Sequence, residues 1–371
     1  MKSISRSLSE LRHVSKESAL KYSEAGESLL GSVNGAMARA LLTRPLIGGA
    51  APNVMYDNHK NHHGMMTSIF RYNKFALLAK IVPWVYRAYG SHGFQAEYFP
   101  ELFRAWIAAI SDVLPGETSE ELLPVYRWLL EHDGEFRKSA TGPLVPTVSC
   151  EGGGAKAGLW RHYLEALLRC DARTVTSMTL DHGPDASSVR WFYRCVVQPA
   201  LYEVGTLWEE GKISVAEEHA ASALVFRAMA GQYLQLAVPE PTKGKALVSA
   251  AQNEQHELGA WMVANSLELD GWNVVYVGAN TPRDSLLSMA RQMKPDVLAL
   301  SVGMPFNVMG AEDFIRRVKQ DDSLENCRVL VGGLAFHHFP ELTETIGADA
   351  YASGCDDAVR VAGTWWNEAS A

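Results

Sequence analysis

The residues best suited to bind a metal-containing ligand lie in one short segment, Asn253–Gly259, which reads Asn-Glu-Gln-His-Glu-Leu-Gly. An apolar run at 246–251 predicts a buried strand before it, and a helix is predicted after it. His256 therefore falls in a loop at the carboxyl end of a strand, where open α/β sheets bind ligands. Its imidazole can coordinate a metal, and Gly259 lets a bulky group approach the backbone. Taken alone, a loop histidine is more often a solvated surface residue.

A second group of residues combines an aromatic ring, a carboxylate and an imidazole. Trp208 ends one predicted helix, and Glu218 and His219 fall in the second turn of the next. That next helix has a capping box in which Ser214 is the N-cap and Glu217 reaches back, so Glu218 is free to act on a ligand. The alternative is that Trp208 is a core residue and that Glu218 and His219 form a solvated helix face.

The elements that position His256 follow a regular alternation of strands and helices. We predict strands at 246–251, 273–278, 296–302, 328–333 and 349–352, separated by helices at 257–269, 283–293 and 311–320 and closed by a helix at 356–369. Short strands that alternate with helices form a parallel sheet with helices on both faces. A Rossmann-like domain with a five-stranded parallel sheet is therefore expected.

The fold class that we predict is α and α/β, with four regions along the chain. They are an N-terminal segment at 1–60, a helical aromatic-rich domain at 61–140 that includes a helix starting at Pro83, a helix bundle at 155–238, and the Rossmann-like domain at 244–371. The segment Ser139–Gly154, rich in Gly and Pro, is the predicted linker.

Composition narrows the class of protein. A chain of 371 residues is long enough for two or three domains. The net charge of -8 and the absence of a Lys/Arg cluster argue against nucleic acid as a partner. No apolar run of about 18 residues or more exists to cross a membrane, and no signal peptide is recognisable. The five cysteines have no metal-type spacing, so we expect a reduced, cytoplasmic protein.

The C-terminal region resembles a cobalamin-binding domain. The family pattern is Asp-x-His-x-x-Gly after the first strand, Ser-x-Leu or Ser-x-Thr after the third and Gly-Gly after the fourth. Here the matching positions are Glu254–Gly259, Ser301–Gly303 and Gly332–Gly333. The resemblance implies that His256 displaces the cofactor's own base and becomes the lower cobalt ligand, and that the Ser and Gly-Gly positions line the channel for the nucleotide tail.

Two positions depart from that pattern. Glu254 stands where the family has Asp, and a carboxylate there would orient His256 through its second ring nitrogen across one extra methylene. Gly303 stands where the family has a larger residue, which predicts a wider tail channel.

The Trp208, Glu218 and His219 arrangement is similar to the light-sensing B12 domains of the CarH photoreceptor type. The resemblance implies that Trp208 packs over a 5′-deoxyadenosyl group on cobalt and that Glu218 hydrogen-bonds this group. Light then breaks the Co–C bond, and His219 is the expected upper ligand afterwards. The helix bundle at 155–238 would act as the cap of this B12 module.

An aromatic helical domain ahead of such a sensor resembles the photocobilins, which pair cobalamin with biliverdin in a degenerate globin-like domain. The resemblance implies a biliverdin site lined by Trp84, Tyr86, Tyr89 and Phe94, with Arg71, Arg87 or Arg104 available for the propionates. From the residues alone, a packed helical core with a polar histidine-bearing segment is the simpler interpretation. Haem on His59, His62, His63 or His92 is the main competing ligand.

We therefore expect a light sensor that binds adenosylcobalamin and biliverdin and is not an enzyme, because nothing resembles a catalytic dyad. Signalling would act through a light-dependent homo-oligomer, a separate output protein or a missing output domain. Two alternatives stay open. One is a corrinoid methyl carrier of a methyltransferase system, against which a capping Trp208 counts. The other is a haem or redox sensor on the same fold.

Overall fold

A computed structural model describes residues 7–139, 158–183, 185–338, 340 and 342–370. The chain divides into two compact units. The first unit holds the described residues up to 139 together with Leu207–Lys212, and the second unit holds the remainder. Positions 140–154 of the predicted linker lie outside the described residues. None of the helices described is both long and apolar enough to span a membrane.

The first unit is helical. Its helices are α1 (Lys16–Glu24), α2 (Gly26–Leu41), α3 (Pro52–Tyr72), α4 (Leu78–Ser91), α5 (Tyr98–Val113), α6 (Gly116–Glu131) and α7 (Asp133–Ser139). An aromatic core lies between them, in which Trp106, Tyr22, Tyr126 and Phe70 are fully buried. Such rings bury large apolar areas and supply most of the stabilisation of a helical core.

Two details of the first unit differ from the sequence-based expectation. The boundary predicted at residue 60 falls inside α3, which runs without a break from Pro52 to Tyr72. Pro83 lies inside α4 and not at its start. Proline in a helix interior removes one backbone hydrogen bond, because it has no N–H. The buried face of α4, which includes Leu78, Ile81 and Tyr86, keeps the helix in place on both sides of Pro83.

The histidines of α3 are packed into this core. His59 is fully buried and its Nδ1 lies 2.6 Å from Asn34 Oδ1. His62 Nε2 lies 3.2 Å from the Tyr126 hydroxyl. Burial lowers the pKa of His59 to about 4 and that of His62 to about 3, with the neighbouring histidines adding to the second shift. Among the described residues, no group of three or more His, Cys, Asp or Glu side chains could hold a metal.

Because burial lowers the pKa values of His59 and His62, we predict that acid destabilises the first unit. Between an ordinary histidine pKa and the lowered ones, the unfolded chain binds more protons than the folded chain, so stability falls as the pH drops. The expected loss in free energy of unfolding from pH 7 to pH 5 is about 2 kcal/mol for each of His59 and His62. Urea denaturation at both pH values measures it. A His62→Gln variant should show a shallower pH dependence, and equal slopes in variant and wild type would contradict this origin.

The second unit begins with a helix bundle. Its helices are α8 (Leu159–Leu168), α9 (Ala172–Leu180), α10 (Ala186–Phe192), α11 (Gln198–Glu209, of which the last three residues belong to the first unit) and α12 (Val215–Tyr233). A π-helical turn, Tyr193–Val197, joins α10 to α11. The capping box predicted for α12 is present, since Ser214 Oγ accepts from Glu217 N and Glu217 accepts from Ser214 N.

The sheet follows the bundle. Its strands are β1 (Lys245–Ala250), β2 (Asn273–Gly278), β3 (Val297–Ser301), β4 (Arg328–Gly332) and β5 (Ala350–Tyr351), all parallel in the order β2-β1-β3-β4-β5. The helices between and after them are α13 (Leu258–Leu269), α14 (Arg283–Met293), α15 (Val308–Lys319), α16 (Leu334–His338), α17 (Leu342–Thr345) and α18 (Cys355–Ser370). The predicted Rossmann-like sheet is confirmed, with strand ends within two residues of the prediction.

The bundle and the sheet layer share one core. Met262 and Leu269 of α13 pack into the apolar cluster of the bundle helices. The buried Tyr193 hydroxyl accepts a 2.9 Å hydrogen bond from Asn265 Nδ2, which ties the π-helical turn to α13. A buried, satisfied polar pair of this kind fixes the register between packed helices.

Candidate functional site

The register of the sheet brings the motif positions to one edge. Ala250, Ser301 and Gly332 end β1, β3 and β4, and they are Cα partners across those strands. Parallel strands end together, so the loops after them must meet. The loop after β1 carries His256, as the sequence predicted, and it is tied to the loop after β2 because Asn280 N donates to Glu254 O at 3.1 Å.

The side chain of Glu254 fixes the conformation of this loop through several hydrogen bonds. It is fully buried, and its Oε1 lies 2.5 Å from His256 Nδ1. Its Oε2 accepts from Gly303 N at 2.8 Å, Met304 N at 2.9 Å and Asn307 Nδ2 at 3.2 Å. A buried carboxylate with this many donors is held in one rotamer. The extra methylene relative to Asp therefore does not prevent contact with the ring.

The electrostatics of the pair favour an ionised carboxylate. Burial alone would raise the pKa of Glu254, but the hydrogen bonds from His256, Met304 and Asn307 and the charge of His256 outweigh it, so this pKa is lowered. The hydrogen bond to Glu254 raises the pKa of His256, and the charges of Glu254 and Glu218 add to this effect. With Nδ1–H donated to the carboxylate, Nε2 is the atom left for a metal, on a side chain that is 69% exposed.

A cavity of about 110 Å³ lies at the carboxyl ends of the strands. Its walls come from strand ends, from the start of α13 and from the bundle, and include Ser301, Gly332, Gly333, Gly259, Tyr193, Arg194, Tyr202 and His337. Ligand pockets usually exceed about 300 Å³. A large ligand can therefore enter only if lining side chains move.

The predicted glycines have different roles. A Cβ on Gly259 would meet nothing within 4 Å, so this position opens onto free space at the cavity wall. Gly333 has φ +96° and a Cβ there would lie 2.3 Å from Val302 O, so its own backbone requires glycine regardless of any ligand. Gly303 faces the Glu254 carboxylate, 3.3 Å from where its Cβ would be, and is not a wall of the cavity. The wider channel expected from Gly303 is therefore not seen; the glycine makes room for Glu254.

Glu218 and His219 lie on α12, as predicted. Glu218 Oε2 is 2.5 Å from His219 Nδ1, and Ser222 Oγ donates to Glu218 Oε1 at 2.9 Å. The charge of Glu218 acts on His256, so these groups share one electrostatic environment within the second unit. Trp208 belongs to the first unit and packs against His92, with ring centroids 4.7 Å apart.

The side chains predicted to surround biliverdin make contacts within the first unit. Trp84 and Arg87 both donate to Glu209. Tyr86 stacks on Phe99 at 3.9 Å between ring centroids and donates to Asp133. Tyr89 and Phe94 meet edge to face at 5.0 Å. A bound tetrapyrrole would have to displace some of these contacts.

Sequence reasoning missed two groups. Asn307 is 4% exposed and completes the shell of Glu254, yet it lies 53 residues further along the chain. Tyr193 and Arg194 place the π-helical turn on the cavity wall. Single π-turns are frequent at functional sites, but no sequence signal announces them.

Comparison with known proteins identifies two B12 binding domains in the chain. Residues 244–363 match a family model described as a B12 binding domain, and residues 159–230 match a second model of that description. The chain is 30% identical over 192 residues to the HTH-type transcriptional repressor CarA of Myxococcus xanthus, covering 51% of this chain and 61% of the repressor. It is 28% identical over 208 residues to CarH, an HTH-type transcriptional repressor of the same organism. This match covers 56% of this chain and 68% of CarH.

A relative of another kind is also similar. Dimethylamine corrinoid protein 2 of Methanosarcina acetivorans is 27% identical over 163 residues, which cover 43% of this chain and 74% of that protein. The match to the CarA repressor spans less than two thirds of its length. The comparisons therefore identify B12-binding domains here, and the relatives are of two kinds, transcriptional repressors and corrinoid proteins.

Proposed function

We propose that this chain, which carries B12-binding domains over residues 159–230 and 244–363, is a light sensor that binds adenosylcobalamin. The observation that carries the proposal is the buried Glu254 carboxylate that orients His256 at the carboxyl end of β1. It prepares one exposed nitrogen for a metal at the edge where an open α/β sheet binds ligands.

The residues present fit this cofactor. A neutral imidazole is a suitable ligand for cobalt, and Nε2 is the nitrogen that Glu254 leaves available. The cavity walled by Ser301, Gly332 and Gly259 would hold the nucleotide tail once its lining side chains move, and Gly259 follows His256 by three residues in the chain.

Adenosylcobalamin would supply a light-sensitive Co–C bond. The chain would supply the response through Trp208, Glu218 and His219. Glu218 holds His219 by a hydrogen bond, so an adenosyl group that engages the carboxylate competes with this contact. Loss of that group frees Glu218 to hold His219 again. Two states with different contacts are what a ligand-controlled switch requires.

We extend the proposal to biliverdin in the first unit, supported by its helical, aromatic-rich build and by the resemblance to photocobilins. An output through a light-dependent homo-oligomer or a separate protein, and the lack of enzymatic activity, are parts of the same proposal. That the chain binds no nucleic acid and acts in the cytoplasm stays a prediction.

A corrinoid methyl carrier is the second candidate, favoured by the similarity to the dimethylamine corrinoid protein. A carrier must expose the upper face of its cofactor to partner enzymes. Trp208, if it covers that face, obstructs the transfer, so the preference between methyl and adenosyl ligands separates the two functions.

The deciding experiment compares dark and green-illuminated protein loaded with adenosylcobalamin, by absorption spectroscopy and size-exclusion chromatography. Wild type should photolyse faster than the free cofactor and change its elution volume. Trp208→Ala should still bind cobalamin but lose about tenfold of its preference for the adenosyl over the hydroxo form, because an aromatic contact is removed.

Trp365→Ala is the matched control, since Trp365 lines a groove with Asp296 and Arg328 at the opposite, amino-terminal edge of the sheet. It should behave as wild type. Photolysis no faster than that of the free cofactor, with an unchanged elution volume, would reject the sensor and favour the carrier. A red absorption band retained after addition of biliverdin would support the bilin site.

A further inference from the structure

Helix α4 of the first unit binds the segment Leu207–Lys212, which lies in sequence within the B12-binding match at 159–230. The contact is made through the Glu209 carboxylate. Trp84 Nε1 donates to Glu209 Oε1 at 2.6 Å, and Arg87 Nη2 donates to Oε2 at 2.6 Å. Each carboxylate oxygen thus has its own donor on α4, three residues apart and hence on one face.

Further contacts hold the backbone of this segment and the indole ring of Trp208. Ser91 Oγ donates to the Glu209 carbonyl at 2.7 Å. Gly211 has φ +67°, and a Cβ there would come within 3.0 Å of Ser91 O, so the turn packs closely on the end of α4. Trp208 packs on His92, the residue that caps α4. The indole that precedes Glu209 is therefore positioned by the same helix.

The grip is buried. The side chains of Arg87 and Glu209 are each only 12% exposed, unlike the surface ion pairs of this unit such as Arg104 with Glu101. Surface pairs contribute little, whereas removal of one partner from a buried pair leaves an unpaired charge and disrupts its surroundings. Loss of Arg87 or of Glu209 should therefore loosen this contact far more than loss of a surface partner would.

We propose that Glu209 is a positioning residue: its clamp by Trp84 and Arg87 fixes the position of Trp208, the side chain that the proposed function assigns to the adenosyl group. Only the role of Trp208 towards the cofactor rests on the proposed function; the clamp itself does not. The segment Leu207–Lys212 contains the last three residues of α11, and the chain leads on from Lys212 through Ile213 to α12.

The linkage runs in both directions. A ligand of the first unit that recruits the Arg87 guanidinium or the Trp84 indole, for instance through a propionate, must release Glu209 and so free Trp208. By reciprocity, a cofactor that requires Trp208 in its clamped position weakens binding of such a ligand.

The clamp itself is tested in the full chain without cofactor, by hydrogen–deuterium exchange of the 207–212 amides. Gly211 N and Lys212 N donate to Trp208 O and Leu207 O at 2.9 Å, so they report on this turn. Arg87→Met and Glu209→Gln should each speed their exchange about tenfold or more. The control, Arg104→Met, removes an exposed partner of Glu101 in the same unit and should leave these amides unchanged.

Folding of the variants is checked by circular dichroism. If a single variant unfolds, the double variant Arg87→Met/Glu209→Gln leaves no unpaired charge and takes its place. Unchanged protection of 207–212 in folded variants would overturn the clamp.

The link to the cofactor is then read from the ratio of adenosyl- to hydroxocobalamin affinity, which Glu209→Gln should lower several-fold while Arg104→Met leaves it unchanged. If wild type binds no cobalamin, the proposed function fails and the exchange result still decides the clamp. If wild type prefers adenosylcobalamin and Glu209→Gln keeps that ratio, the coupling is overturned while the sensor stands.

Discussion

Replacement of His256 by alanine is expected to lower cobalamin affinity about 100-fold or more and to leave any bound cofactor with its own base on cobalt. His256 presents Nε2 from a ring whose Nδ1 is fixed 2.5 Å from a buried carboxylate. No other described histidine of the second unit has a fully buried carboxylate as partner, since Glu254 is the one carboxylate there without exposed area. Loss of the ring therefore removes the prepared ligand, while the strand-end cavity keeps its walls.

Titration calorimetry measures the affinity, and the absorption spectrum separates a histidine-ligated from a base-ligated cobalt. His162→Ala is the matched control, because His162 is an exposed histidine on α8 of the same unit. An unchanged spectrum and dissociation constant in His256→Ala would remove the central part of the proposed function.

Glu254→Gln is expected to impair cobalamin binding about 10- to 100-fold although the new side chain has almost the same volume. Three N–H donors converge on the Oε2 position, from Gly303, Met304 and Asn307. A glutamine satisfies them only by placing its carbonyl oxygen there, and its NH₂ group then faces His256 Nδ1. Two donors cannot share a hydrogen bond, so the ring must protonate at Nε2 and present a lone pair at Nδ1. The nitrogen needed by the metal is then blocked.

Glu254→Ala should also destabilise the fold of the second unit, by about 3 kcal/mol, because the buried donors lose their acceptor. Chemical denaturation measures this loss. Glu268→Gln is the control for both variants, since Glu268 accepts one exposed hydrogen bond from Tyr233 at 3.2 Å. Full cobalamin affinity in Glu254→Gln would show that the carboxylate does not set the state of His256.

Local patterns in the sequence were sufficient for the framework of the site. Apolar runs with strand-like length, separated by helical periods, predicted the five parallel strands and so placed His256 at a strand end. The capping box at Ser214 and Glu217 predicted where α12 begins, although Glu218, which was expected in the second turn, lies in the first turn of the helix. These features depend on neighbours within a few residues, which a single sequence displays.

What only the tertiary structure decided are the contacts between side chains far apart in the chain. Asn307 meets Glu254 across 53 residues, and Trp84 meets Glu209 across 125. Gly303 was expected to widen a channel, but it makes room for the Glu254 carboxylate instead. Residue types and spacing named the groups that could act, because helices, strands and their ends are encoded locally. That Asn307 completes the hydrogen bonds of Glu254, and that Trp84 and Arg87 bind Glu209, depends on how distant elements pack, and no local period records that.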